Sequence, residues 1–353
     1  MKFIHTADLH LGAVTETRLS PEKAELRRRE LFLCFARIAR LAEEEGAAVL
    51  IAGDLFDTAM PSPALLAGFL DTVRHHAGVR FFCLPGNHDG GSFPTAELPE
   101  NLVVFGREWT SVSLGDTDVF GISPVGEIPY DTLSLDPKRK NVVLLHGSVR
   151  EGGTGDVGDV VLSRLAGRGI DYLALGHYHS HRVGRLDARG IYAYSGTPEG
   201  RGMDEAGECG VLIVDTEKTP PAPVFLRTAK RLLHLLEVEI ESSELSHVAG
   251  HIREALARVP HEDLVRVVLR GRLPLDSHRI GTAQLTEMLG GPYFYFEIKD
   301  KTALAIRPEE YLGSLTLKGE FTRQVMAADL PSDVREAILR AGLAALRGEG
   351  DEV

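Results

Sequence analysis

Five short stretches of this chain carry residues able to bind a metal ion or move a proton. They are Asp8-Leu9-His10, Gly53-Asp54-Leu55-Phe56-Asp57, Gly86-Asn87-His88-Asp89, His146-Gly147 and Gly176-His177-Tyr178-His179. Carboxylate, imidazole and amide oxygen form a mixed donor set that suits a borderline divalent ion such as Mn2+, Fe2+ or Zn2+. In Asp8-x-His10 and His177-x-His179 both side chains of the pair fall on one side of an extended segment. Each stretch taken singly has a plainer account: Asp8 as a helix cap, Asn87 to Asp89 as a polar turn, His146 as a satisfied core histidine. Five together do not, because carboxylates and imidazoles gathered without a counter-ion would stay unpaired, at roughly several kcal/mol.

Each stretch follows an apolar run of strand length. The runs are Phe3 to Ala7, Ala47 to Ala52, Val79 to Cys83, Asn141 to Leu145 and Asp171 to Leu175. Such uniformly apolar runs read as strands buried on both faces. Their polar residues then sit at carboxyl ends, where ligands of open α/β sheets bind, and the expectation is one edge of one sheet. Gly53 would let the backbone turn closely beneath an ion. A long helix is expected over Pro21 to Glu45, with Leu26, Phe32, Leu33, Phe35, Ile38 and Leu41 as its apolar stripe. Arg27-Arg28-Arg29 on that helix reads as a solvated face, with phosphate contact as the alternative. Pro61-Ser62-Pro63 opens a second helix running to His76, with His75 and His76 expected exposed at its end. The loop from Gly90 to Glu100 is rich in Gly and Pro, and that from Gly152 to Asp159, rich in Gly and Asp, is expected near the site. A short helix is expected over Val160 to Leu165.

The 353 residues allow one large domain and a smaller one. Three cysteines at no metal-like spacing look like core residues of a cytoplasmic protein. The chain is expected to open directly on a strand with no signal peptide, and no apolar run is long enough for a membrane span. A net charge of −12 argues against a basic, nucleic-acid-coating surface. It leaves nucleic acid open as a substrate held by metals or by a partner. From Arg231 the pattern becomes β-α-β-α-β: Leu232 to Ile240, a helix from Ser242 or Ser243 to Arg258, Leu264 to Leu269, Asp276 to Leu289, and Tyr293 to Ile298. That is a small α+β domain. Its aromatics Tyr293, Phe294, Tyr295 and Phe296 could stack bases, with at least half of them in the core. A last helix, Pro331 to Arg347, has an apolar face of Val334, Ile338, Leu339, Leu343 and Leu346. The expected divisions are 1–230, 231–330 and 331–353.

The ordered motifs resemble the calcineurin-like metallophosphoesterase superfamily. The wording of Ile4-His5-Thr6-Ala7-Asp8-Leu9-His10-Leu11-Gly12, Gly53 to Asp57 and Gly176 to His179 is similar to the SbcD-type DNA repair exonucleases. So is Tyr194-Ser195-Gly196-Thr197-Pro198-Glu199-Gly200-Arg201. The resemblance covers about residues 1 to 230, and the shorter YhaO-like branch fits the chain length best. Archaeal members carry histidine where this chain has Asp57, which follows the bacterial and phosphatase pattern.

The resemblance implies an αββα sandwich with a smaller α+β C-terminal cap domain that guides DNA. It implies two divalent ions, Mn2+ foremost with Fe2+ or Zn2+ as alternatives. One would be held by Asp8, His10, Asp54 and His179, the other by Asp54, Asn87, His146 and His177. Asp54 is the carboxylate placed to bridge. Such a pair, about 3.5–4 Å apart, would activate a water and stabilise phosphate charge. His88 would stabilise or protonate the leaving oxygen, with Asp57 orienting its ring. The implied activity is an Mn2+-dependent DNA exonuclease working beside an SMC-like coiled-coil ATPase (SbcC-like). The last helix would dock that partner or pack on the cap, and a homodimer is compatible. A small-molecule or phosphoprotein phosphoesterase, or a metal-free scaffold, are the alternatives on the same fold. The full set of ligand types argues against the scaffold, and the cap and the Thr6 to Gly12 wording favour the nuclease.

Overall fold

Alternation along each buried strand sets the architecture, because successive side chains enter different cores. In the computed structural model, which describes residues 1–14, 18–90, 97–152, 158–274, 280–305 and 308–346, the chain divides into two units, Met1–Leu233 and His234–Val353. The first unit runs β1 (Lys2–Thr6), α1 (Pro21–Glu45), β2 (Ala48–Ala52), α2 (Pro63–His75), β3 (Phe81–Leu84), β4 (Leu102–Val104), β5 (Thr110–Leu114) and β6 (Thr117–Gly121). It continues through β7 (Lys140–His146), β8 (Ser148–Arg150), β9 (Asp159–Val161), β10 (Tyr172–Gly176), β11 (Arg182–Arg185), β12 (Ile191–Tyr194), β13 (Gly210–Asp215) and β14 (Val224–Arg227).

All of these strands but β8 and β9 form two six-stranded sheets, ordered β14-β13-β1-β2-β3-β4 and β11-β12-β10-β7-β6-β5. β1 to β4 are mutually parallel, as are β6, β7, β10 and β12. The expectation of one sheet edge is therefore corrected. Three of the functional strand ends belong to the first sheet and two to the second. Between the sheets lies a core of Phe3, Leu50, Phe82, Leu84, Leu144, Tyr172 and Ala174, drawn from both. On β2, Val49 and Ile51 point the other way and meet Phe35, Ile38 and Phe69 of α1 and α2. On β7 and β10, Val143, Leu145, Leu173 and Leu175 face a third core with Ile128, Tyr130, Leu162 and Leu165. The result is a mixed α/β sandwich, as the resemblance implies. The outer face of the second sheet is covered, among the described residues, by two 3-10 turns (Tyr130–Thr132, Leu162–Arg164) and the β8–β9 pair. Pro124, Pro129 and Pro137 break any helix in the first of these connections. The helix expected over Val160 to Leu165 is β9 followed by the second turn.

α1 begins and ends where its signals place it. Ser20 caps Lys23 N–H, Pro21 takes the first turn, and Gly46 closes it at φ 58°. Its buried face, however, is Arg27, Glu30, Leu31, Cys34, Phe35, Ile38, Ala39 and Ala42. Leu26 and Leu33 are 41% and 42% exposed. Arg27, expected in solvent, is 1% exposed and donates to Glu30 Oε2 (2.6 Å), Glu199 Oε1 (2.8 Å) and the Gly200 carbonyl (2.6 Å). His76, also expected exposed, is buried and lies 2.9 Å from Glu43 of α1. Most of the Gly90 to Glu100 loop (91–96), and most of the Gly152 to Asp159 loop expected near the site (153–157), lies outside the described residues.

The second unit contains β15 (Leu233–Glu239), α3 (Leu245–Leu256), β16 (Leu264–Arg270), β17 (Arg272–Pro274), α4 (Thr282–Gly290), β18 (Tyr295–Asp300), β19 (Ala303–Ala305), α5 (Pro308–Leu312), α6 (Leu317–Ala327) and α7 (Ser332–Ala345). Its main sheet is ordered β15-β16-β18 and packs on α3 and α4 through Val238, Val248, Ile252, Val265, Val267 and Leu285. The expected helix start at Asp276 lies outside the described residues. Tyr293 is buried and stacks on Phe296 at 5.6 Å, while Phe294 to Phe296 are half-buried. On α7, Leu339 and Leu343 are buried, whereas Val334 and Ile338 stay 40% and 37% exposed. Among the described residues, no helix is long and apolar enough to cross a membrane.

Glu199 is fully buried and also pairs with Arg37 at 3.2 Å, so it serves two guanidinium groups. Glu199→Ala should destabilise the first unit by about 3 kcal/mol, the low end for breaking a buried pair because Glu30 still serves Arg27. Leu26→Ala should cost under about 0.5 kcal/mol. Urea unfolding of both variants checks the contrast.

Candidate metal centre

The five strand ends meet where the two sheets come together at their carboxyl edges. Backbone hydrogen bonds continue past the strands: Asp8 N–H to Gly53 O (3.0 Å), His10 N–H to Asp54 O (2.9 Å) and Leu11 N–H to Leu55 O (2.8 Å). A Cβ on Gly53, itself at φ 93°, would collide with the His146 ring, and one on Gly86 would collide with Asp54. Both glycines let backbone lie against a functional side chain. Asp89 fastens the loops together. Its buried carboxylate accepts from Leu55 N–H (3.1 Å), Phe56 N–H (2.8 Å) and Gly86 N–H (2.9 Å).

Four residues proposed as ligands occupy the left-handed or positive-φ region: Asp8 (53°), His10 (43°), Asp54 (50°) and His177 (108°). Residues with a Cβ pay roughly 1–3 kcal/mol each for such a backbone, and strain of this kind gathers at functional sites. It turns side chains inward that a regular strand end would send past one another.

Asp54 stands at the middle. Its Oδ1 accepts the His88 N–H at 2.9 Å. Its Oδ2 lies 3.7 Å from His10 Nε2 and 3.4 Å from His146 Nε2. Donors each about 2.1 Å from a common ion stand about 3.0–3.4 Å apart, so these separations are close to those of ligands sharing one. Asn87 Oδ1 is 2.9 Å from His146 Nε2 and 3.3 Å from His177 Nδ1. Ligand atoms of Asp8, His10 and His179 lie within 4.8 Å of one another, as do those of Asp8, Asp54 and His146. All seven residues expected as ligands are thus gathered at one place.

His10 tests whether an ion fits. Its Nδ1 is 3.1 Å from Asp57 Oδ1, an acceptor, so Nδ1 carries the hydrogen and Nε2 presents a lone pair. That Nε2 is buried and has no hydrogen-bond partner among the described residues. Burial, with Arg201 adding repulsion, drops the His10 pKa to about 3, so the ring is neutral. Burial opposes ionisation of Asp54, but His146 outweighs it and holds the carboxyl at about 2. A bare nitrogen therefore faces a carboxylate with no proton between them. A cation placed between them would satisfy both. Burial likewise disfavours charge on His146, yet Asp54 raises it to about 9, so a proton stands on the side where a second cation would. Burial pushes the Asp8 carboxyl up to about 7.

His88 is 47% exposed, and its ring meets that of His10 edge-on at 4.6 Å. Asp57 departs from its expected task. Its Oδ1 is 4.0 Å from His88 Nδ1 but 3.1 Å from His10 and 3.3 Å from Arg201 Nη1. It holds the His10 ring first and His88 at longer range. Glu205 and Arg201 also reach the site, with Glu205 Oε1 2.8 Å from His179 Nδ1. No spacing in the sequence points to Glu205, which follows an irregular segment rather than a strand. A cavity of about 360 Å3 adjoins Asn87, His146 and His177 and is walled by Ile122, Ser123, Pro124 and Leu145.

Residues 1–181 match the calcineurin-like phosphoesterase family, whose members bind a dinuclear metal. The chain is 24% identical over 304 residues to the DNA double-strand break repair protein Mre11 of Sulfolobus acidocaldarius, covering 78% of this chain and 76% of that one. It is 26% identical over 330 residues to the Mre11 protein of Archaeoglobus fulgidus, at 79% and 70% coverage. It is 24% identical over 298 residues to the uncharacterized metallophosphoesterase YhaO of Bacillus subtilis, at 78% and 72% coverage.

With Asp54 facing histidines of both ion positions, Asp54→Asn should lower occupancy at both, whereas His10→Ala should empty mainly one. Mass-spectrometric metal analysis after dialysis reads this; two full equivalents in Asp54→Asn would refute the bridge. Metal removal should also expose the strain: Mn2+ at about 100 times its Kd should add about 2.7 kcal/mol per site to the chelated protein, seen as a higher Tm.

Proposed function

The chain belongs to the calcineurin-like phosphoesterase family, and from that membership we propose that it is a dinuclear-metal phosphodiesterase that cleaves DNA, the nuclease subunit of an SbcCD-like repair complex. The observation that carries this reading is Asp54 Oδ2, set between the Nε2 atoms of His10 and His146. Asp8, His10, Asp54 and His179 would hold one ion, and Asp54, Asn87, His146 and His177 the other, with Mn2+ suited to the mixed donor set. Bound ions would supply an activated water and stabilise charge on the phosphate. The chain's own residues do the rest. Asp57 fixes His10, Asp89 keeps the Asp54 and Asn87 loops in register, and His88 stands exposed beside them. An imidazole so placed can give its proton to the departing oxygen.

DNA as substrate is supported by the relatives whose names place them in double-strand break repair. The cavity beside His146 and His177 has the volume of a small-ligand pocket, room for an organic group next to the phosphate. The half-exposed Val334 and Ile338 of α7 are candidates for contact with a coiled-coil ATPase. The three free, buried cysteines fit a reducing cytoplasm.

The reading is tested with purified protein and Mn2+ on labelled single- and double-stranded DNA, beside p-nitrophenyl phosphodiester and monoester. Cleavage of the diesters is expected; activity confined to the monoester would instead make the protein a small-molecule or phosphoprotein phosphatase. His88→Asn should keep two metals and lose about 10²–10⁴-fold in turnover on DNA. The loss should shrink on the p-nitrophenyl diester, whose leaving group needs little protonation. A variant that cleaves DNA at the wild-type rate, or that sheds a metal, would remove His88 from the chemistry.

A further inference from the structure

We propose that Glu205 and Arg201 are positioning residues that fix one of the two ion positions, the one lined by His10 and His179. The inference rests on the dinuclear reading of the site. Glu205 is 1% exposed at its side chain, although it sits outside the sheets, at the end of a 3-10 turn (Met203–Glu205). A carboxylate buried there needs partners, and it has them. Its Oε1 is 2.8 Å from His179 Nδ1 and accepts from Arg201 Nε (3.0 Å) and Nη2 (2.6 Å), while Oε2 accepts the Arg201 backbone N–H.

The same guanidinium continues the chain. Arg201 Nη1 reaches Asp57 Oδ1 at 3.3 Å, and that oxygen lies 3.1 Å from His10 Nδ1. One continuous path therefore runs His179–Glu205–Arg201–Asp57–His10. Its two ends are the imidazoles proposed for a single ion. In each ring the carboxylate takes the Nδ1 hydrogen, leaving Nε2 as the free donor, and a carboxylate behind an imidazole raises its basicity as a ligand. Among the described residues, no carboxylate stands behind the imidazoles of the other position. His146 Nδ1 rests on the Ala52 carbonyl at 2.9 Å, and His177 directs its Nδ1 at Asn87. Arg201 makes the arrangement affordable: without its charge, Glu205 and Asp57 would repel each other across the site. The two positions differ, then, in what stands behind their ligands, and loss of Glu205 should act on one of them alone.

The test is Mn2+ binding by the full-length protein, followed as free Mn2+ by electron paramagnetic resonance and fitted to two sites. Glu205→Ala should weaken one site about 10–100-fold, the range for loss of a ligand's outer partner, and leave the other unchanged. Glu205→Gln still accepts from Nδ1 through its amide oxygen and should recover much of that loss. Were Glu205 itself a ligand with His179 and Asp204, which also lie within 4.8 Å of one another, glutamine would lose as much as alanine, and the positioning role would fall. If Glu205→Ala is not recovered folded, Arg201→Gln serves, since it cuts the path between Glu205 and Asp57 and should weaken the same site. Two unchanged sites, or equal weakening of both in a protein of normal metal-free Tm, would overturn the inference. Failure of the wild-type protein to bind two Mn2+ would overturn the dinuclear reading instead.

Discussion

A neutral imidazole nitrogen and a carboxylate oxygen face each other in the interior with no proton to share. His10 Nε2 and Asp54 Oδ2 are 3.7 Å apart, and Asp57 has already claimed the hydrogen of the other ring nitrogen. Two acceptors in a low-dielectric pocket repel unless a cation stands between them. Much of the surrounding structure exists to hold that confrontation in place. Gly53 and Gly86 admit the backbone beside His146 and Asp54. Four of the proposed ligand residues accept a positive φ. Asp89 spends its whole carboxylate on three backbone N–H groups, so that the Asp54 loop and the Asn87 loop cannot drift apart. The strained backbone and the acceptor pair are costs that a bound ion would offset.

The residues proposed as ligands stood out in the sequence because chemistry and periodicity coincide at them. A run such as Ala47 to Ala52 is apolar at every position, which means burial on both faces, and polar residues directly after it must lie at a carboxyl end. The same uniformity hid the second sheet. Val49 and Leu50 look alike in sequence, yet one packs on α1 and the other on the opposite sheet, and no local pattern says that β7 and β10 belong elsewhere than β1 to β3. The ends of α1 were legible in Ser20, Pro21 and Gly46, since capping is local. Its facing was not. The buried stripe includes Arg27 because Glu199, distant in the chain, neutralises it. A charged residue is placed inside by its partner, and a partner that remote leaves no trace in spacing. His76 and Glu43 repeat the lesson. So does Glu205, whose role depends on a side chain reached only after the chain has folded.

Glu199 to Glu205 ties these observations into one piece of structure. At its start Glu199 answers Arg27 and Arg37 of α1. At its end Arg201 and Glu205 answer Asp57 and His179. Just ahead of it, Thr197 Oγ1 donates to the Asp8 carbonyl at 3.1 Å. A segment with little regular secondary structure is thus held by charge at both ends. This explains how a stretch outside the sheets can position a metal centre with strand-like accuracy. It also explains why glycines can be frequent in it: its conformation is imposed by buried ion pairs and does not depend on local propensity.

The ligand set does not by itself choose a substrate, since the same fold and the same donors serve many phosphoesters. Every residue of the centre lies between Asp8 and Glu205, inside the first unit. Selection therefore has to come from what is added around it. A net charge of −12 works against long-range attraction of a polyanion. Whatever draws DNA to the proposed site must then be local: ions in the centre, the walls of the cavity beside His146, or cations supplied by another subunit. In that division the metal-facing motifs supply chemistry common to a family, and specificity rests on surroundings that those motifs do not encode.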